Sequence, residues 1–94
     1  MIDVYPSILM FNARSITGKF DDLCVTVGHF KPDMIMVTET WLGKDFSSDL
    51  LTIPHYELFR SDRVNRRGGG VCIWVHERFR PSRSAILDKL LYLY

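Results

Sequence analysis

Only two cysteines occur in the sequence, Cys24 and Cys72. Both sit in apolar surroundings without a Cys-x-x-Cys spacing, which argues against a zinc site and against a disulfide framework, so reduced thiols are expected. No apolar run approaches the roughly 20 residues of a membrane span, and Met1-Ile2-Asp3 lacks the basic start and apolar core of a secretory leader. Neither insertion nor secretion is expected, which leaves nucleus or cytoplasm. Internal repeats and low-complexity tracts are absent. Gly18-Lys19 is not a phosphate loop, because that motif needs glycine where Ala13 stands and Ser or Thr where Phe20 stands. Nor is Gly68-Gly69-Gly70 a dinucleotide fingerprint, since it precedes a strand; it reads as a turn that needs positive φ or a close backbone approach. His29, His55 and His76 are scattered and pair with no carboxylate at a recognisable spacing, so histidine-driven hydrolysis is not visible.

What the chain does have is apolar content, 47% of its 94 residues, enough to reject disorder and to build one small domain or part of a larger one. Net charge is only +1, but residues 1–59 carry four Lys/Arg against eight Asp/Glu while residues 60–94 carry eight against three. A surface that faces phosphates would show this basic second half, and so would a solvated loop.

Met34, Ile35, Met36 and Val37 form a continuous apolar run, and successive side chains on a strand point to opposite faces, so this run predicts a strand covered on both sides. Ile8-Leu9-Met10-Phe11 reads as a second buried strand. Between them Ile16, Phe20, Leu23, Val27 and Phe30 recur at steps of three and four, predicting a helix over 16–29 with Ser15 as N-cap and Lys31-Pro32 as its stop. Strand, helix and strand in that order predict parallel strands joined by a right-handed crossover, and parallel strands end at the same edge of the sheet. Asn12 and Glu39, each just past its apolar run, should therefore converge at the edge where open sheets bind ligands. Residues 43–54 have a loop composition in which Leu50, Leu51 and Ile53 could tuck inward. Tyr56–Arg60 and Val71–Val75 read as two further strands, joined through a mobile basic turn that holds Arg63, Arg66, Arg67 and the three glycines. After Phe79 the pattern decays.

Two readings fit Asn12 and Glu39. An amide oxygen and a carboxylate oxygen are hard ligands suited to magnesium, which keeps several waters and needs few protein ligands. Alternatively, Asn12 caps the following helix and Glu39 pairs with an arginine such as Arg14.

Beyond single motifs, an ordered set stands out: Phe11-Asn12-Ala13-Arg14-Ser15-Ile16, then Lys31-Pro32-Asp33 leading into Thr38-Glu39-Thr40-Trp41-Leu42. Tyr56, Phe59-Arg60-Ser61-Asp62-Arg63 and Arg67-Gly68-Gly69-Gly70-Val71 follow. In order and spacing these resemble the start of the endonuclease/exonuclease/phosphatase superfamily, and above all the apurinic-type endonuclease domain of non-LTR retrotransposons of the jockey and chicken-repeat kind. The resemblance is strongest over residues 7–78, leaving 79–94 as a divergent tail of a partial domain spanning 1–94. It implies an α/β fold, the N-terminal half of a four-layered α/β/β/α sandwich. It also implies a magnesium- or manganese-dependent DNA endonuclease whose first two metal positions fall on Asn12 and Glu39. Thr38 and Asp62 would support the site, and Arg14, Arg60, Arg63, Arg66 and Arg67 would contact phosphate, with Arg60, Asp62 and Arg63 matching a family signature that either orients the site or contacts phosphate. The family's later Asp-x-Asn element and its closing Ser-Asp-His element have no counterpart, and neither His76 nor Asp88 stands in the matching context. The resemblance therefore implies an incomplete enzyme, inactive alone, whose missing C-terminal half, and a downstream reverse transcriptase in the parent element, would be its partners. Because half a sandwich leaves an inner sheet face and a strand edge uncovered, the isolated chain is expected to be marginal, aggregation-prone or dependent on a partner, with Val71–Val75 the worst segment. The rival reading is a non-catalytic nucleic-acid-binding or interaction module using the basic stretch 60–83, which would show salt-dependent binding without hydrolysis.

Overall fold

The computed structural model describes residues 7–63 and 68–79. Ile8–Asn12 forms strand β1, Phe20–Phe30 helix α1, Met34–Thr38 strand β2, Tyr56–Ser61 strand β3 and Val71–His76 strand β4. A short 3-10 helix, Ser48–Leu51, lies in the loop before β3. The sheet order is β1-β2-β4-β3. As the crossover pattern requires, β1 and β2 pair in parallel, with Ile8 opposite Met34 and Asn12 opposite Thr38. β4 then runs antiparallel to both β2 and β3.

Burial explains this order. β2 and β4 occupy the middle, and Ile35, Val37, Cys72 and Trp74 are fully buried beneath Leu23 and Val27 of α1. At about 1.5–3 kcal/mol for each large apolar side chain removed from water, this face supplies a large share of the driving force for ordering the sheet. Trp74 anchors it: its ring stacks on Phe20 at 6.2 Å, and its Nε1–H donates to the Leu51 carbonyl at 2.9 Å. That bond draws the loop inward, so Leu51 and Ile53 are buried while Leu50 stays outside.

Three expectations need correction. β1 is not buried on both faces: it is an edge strand with Ile8 and Met10 at 55% and 61% exposure, and only Leu9 and Phe11 pack on the core. An unbroken apolar run reads the same whether one face or two are covered. The helix begins at Phe20, not at 16, and Ser15 does not cap it; Lys19 holds the cap position without a side-chain bond. The cause lies in the backbone, where Ser15 N–H donates to the Glu39 carbonyl and Ile16 N–H to the Thr40 carbonyl, each near 3 Å. These bonds hold residues 13–16 against the chain leaving β2 and put Ile16, fully buried, into the core ahead of the helix. Phe30, counted on the apolar face, is exposed. The helix does stop at Lys31, which turns left-handed at φ 49° and donates its N–H to the Val27 carbonyl.

Away from the helix, Met36, Phe59, Val71, Ile73 and Val75 form a second buried cluster. The inner face expected to lie uncovered is buried at Val71–Val75, whereas the edge strand β1 does leave Ile8 and Met10 exposed. Among the described residues no helix is long and apolar enough to cross a membrane. Arg66 and Arg67, part of the basic turn, and residues 80–94 lie outside the described residues.

Candidate functional site

Parallel pairing sets the site. Asn12 ends β1 directly opposite Thr38, one residue before Glu39, and the Ala13 N–H donates to the Thr38 carbonyl at 2.9 Å. Two segments far apart in sequence thereby leave the sheet side by side. Both leave it in unusual backbone conformations, with φ at 48° for Arg14, 81° for Ser15, 54° for Glu39 and 56° for Trp41. Left-handed conformations of non-glycine residues cost of order 1–3 kcal/mol and concentrate where function requires them.

The strand connection carrying Gly68–Gly70 supplies the third wall. All three glycines have positive φ, and the last two are buried. At Gly70 the conformation is required twice over, because φ is 89° and a Cβ there would stand 2.6 Å from Thr40 Oγ1. Thr40 is itself fully buried, and among the described residues its hydroxyl has no hydrogen-bond partner.

Glu39 is the focus of these walls. Its Oε2 accepts the Trp41 indole N–H at 2.7 Å and the Gly69 backbone N–H at 2.9 Å. Two donors thus fix one carboxylate oxygen, and among the described residues Oε1 accepts no hydrogen bond. The Trp41 bond and then the Gly69 bond hold the carboxyl below the ordinary glutamate range, and the positive charges of Arg63 and Arg14 act in the same direction. Near neutral pH the group is an oriented carboxylate.

The other named residues divide. Arg14 and Arg63 are exposed and lie close enough to stabilise the Glu39 charge. Arg60 is occupied otherwise: it pairs with Asp62 at 2.8 Å and donates to the Phe46 and Gly43 carbonyls and to Ser48 Oγ. It ties the 43–48 loop to β3 instead of presenting its donors to a phosphate, and Asp62 serves as its counter-ion. Thr38 contributes its carbonyl to the β1–β2 junction.

Sequence reading missed two contacts. The Trp41–Glu39–Gly69 arrangement joins residues up to 30 apart, and its only sequence signal was a tryptophan two residues after the glutamate. His55 Nδ1 lies 2.9 Å from Glu77 Oε1, a pairing made by the β3–β4 hairpin at the opposite end of the sheet. Nothing in the spacing announces it.

As a metal-binding corner the residues present fit a hard divalent cation in part. Among the described residues no three His, Cys, Asp or Glu side chains stand together as a metal-holding group. What stands at the sheet edge is one oriented carboxylate and one amide, a sparse oxygen set of the kind magnesium completes with water.

No family model matches the chain, and no curated protein sequence does. Solved structures do. An AP endonuclease from Leishmania major superposes with a TM-score of 0.65 at 19% identity, over 77% of this chain and 24% of its own. An AP endonuclease from Archaeoglobus fulgidus gives 0.63 at 22% identity, over 76% and 27%. The 3' phosphatase NExo from Neisseria, bound to a product DNA hairpin, gives 0.64 at 18% identity, over 76% and 27%. The chain spans about a quarter of the length of these structures. At such identities the likeness is one of fold: a mixed α/β chain with a four-stranded sheet that forms part of the endonuclease/exonuclease/phosphatase fold.

Proposed function

We propose that this chain carries the metal-binding corner of a divalent-metal-dependent phosphodiester hydrolase acting on DNA, of the retrotransposon endonuclease type. The observation that carries the reading is Glu39: a carboxylate at the sheet edge, held ionised, with one oxygen fixed by two donors, beside the end of β1 at Asn12. The ordered motifs from Phe11 to Val71 support the retrotransposon type. DNA as substrate is supported by the fold neighbours, among them AP endonucleases and a 3' phosphatase bound to a product DNA hairpin.

Asn12 and Glu39 would hold magnesium or manganese. When bound, the ion would neutralise charge that develops on a phosphate under attack. Trp41 and Gly69 keep Glu39 oriented for that task, and Arg14 and Arg63 add positive potential for a phosphate. No group in the sequence matches the family's general-base element, and general acid–base help is worth about 10²–10⁴-fold, so the 94-residue chain alone is expected to leave a plasmid intact. Fusion to a C-terminal portion bearing the Asp-x-Asn and Ser-Asp-His elements should yield magnesium-dependent nicking that Glu39→Gln removes and chelator stops. Nicking by the fusion that ignores Glu39→Gln would overturn the metal role. Magnesium-dependent nicking by the chain alone, lost in Glu39→Gln, would overturn its incompleteness.

A further inference from the structure

Trp41 is half exposed, at 50%, although it sits between two buried residues, Thr40 and Leu42. A large apolar ring in water ordinarily folds onto the nearest apolar surface, yet this one is held outward by three constraints. Its backbone is left-handed at φ 56°, its N–H donates to the Gly69 carbonyl at 2.9 Å, and its indole N–H donates to Glu39 Oε2 at 2.7 Å. Gly68 lies against the indole, since a Cβ on that glycine would stand 3.3 Å from Nε1. On the neighbouring glycine the Arg63 guanidinium fills the space a side chain would need. Ring, carboxylate and guanidinium thus meet around Gly69. The other tryptophan, Trp74, is fully buried and has its own acceptor in the core.

A rigid exposed aromatic face beside a carboxylate and an arginine matches the parts of a nucleotide in an unpaired strand: a π-face to stack, and a phosphate for the cation. Paired bases inside a duplex offer no free face. We propose that Trp41 is a stacking platform for an unpaired DNA base, with Arg63 receiving the adjoining phosphate, so that this site selects single-stranded or locally opened DNA. The inference rests on the proposed action on DNA and adds the state in which the strand is recognised. Trp41 also acts on Glu39 as a positioning residue, through the indole N–H.

The test is a titration of the 94-residue chain, in chelator, with end-labelled oligo-dT and with a blunt duplex of equal length. Anisotropy of the label reports binding, and tryptophan emission reports Trp41, because Trp74 is shielded. Oligo-dT should bind, quench the emission and protect it from acrylamide, with the duplex doing less of each. Trp41→Ala should lower oligo-dT affinity about 5–150-fold, the equivalent of one base–aromatic stack of about 1–3 kcal/mol. Trp41→Phe, which keeps a ring and loses the indole N–H, should stay within about threefold. Unchanged Trp74 emission shows that a variant is folded, and the wild-type quench stands if Trp41→Ala fails to fold. Oligo-dT binding without quench or acrylamide protection, or equal quench by the duplex, would overturn the platform and leave the proposed function standing. Absence of binding by either probe would overturn action on DNA and the platform with it.

Discussion

At the end of the sheet where β1 and β2 finish, Arg14, Ser15, Glu39, Trp41 and three glycines all hold positive φ; at the opposite end only Lys31 and His55 do, among the described residues. That opposite end is closed by mutual bonds. Asp33 accepts the Ser7 N–H at 2.8 Å and pairs with Arg78, its N–H is within reach of Ser7 Oγ, and its carbonyl accepts the His76 N–H. Tyr56 donates its hydroxyl to the Pro32 carbonyl, and the Glu77 N–H donates to the His55 carbonyl. One end is clasped and the other is strained around a carboxylate that two donors hold by one oxygen. Stability placed at one end of a sheet can tolerate strain at the other, which is the arrangement expected when the strained end has a task beyond folding.

The largest effect should follow from forcing a side chain into the strained end. Gly70→Val meets both a φ of 89° and the buried Thr40 hydroxyl, so a loss of about 3 kcal/mol or more is expected in urea unfolding. Gly28→Ala, in the helix with open space around it, should instead gain about 0.5–1 kcal/mol. If Gly70→Val unfolded at the same urea concentration as its parent, the close approach at Thr40 would not be a requirement of the fold. A smaller loss, about 1–2 kcal/mol, is expected from Asp33→Ala, which cuts the clasp through one charged hydrogen bond and one half-exposed ion pair. Trp41 emission should not move in that variant. A shift there would mean that the two ends are coupled.

How far the sequence carried differs between these ends. Strands β2 and β4 were legible because apolar residues at four or five consecutive positions suit a strand covered on both faces, and the parallel pairing followed from the helix between β1 and β2. Convergence of the Asn12 and Glu39 backbones followed from that pairing. The start of the helix was not legible: Ser15 has a capping side chain, but its backbone N–H was already committed to Glu39, a bond that only the folded chain reveals. For the same reason the sequence left Arg60 open between orienting the site and contacting phosphate, and only the folded chain shows its donors closing the 43–48 loop. Polar contacts between residues far apart leave no periodic trace, whereas apolar faces do.

The smallest expected effect concerns the proton on Glu39. A carboxyl whose folded pKa lies below its unfolded value contributes stability at pH above the unfolded value, about 4.3 for glutamate, and loses it as pH falls through the folded one. Stability should therefore be flat in this contribution near neutrality and decline on the acid side, and Glu39→Gln should flatten that decline slightly. The carboxyl carbon shift of Glu39, followed by NMR against pH, gives the folded value directly. Trp41→Phe removes the strongest of the influences that lower it while leaving the Gly69 bond, Arg63 and Arg14 in place. The titration should then move upward toward the ordinary range without reaching it. An unmoved titration would show that the indole bond does not hold the carboxylate, and the strained end would owe its charge to the glycine turn and the arginines.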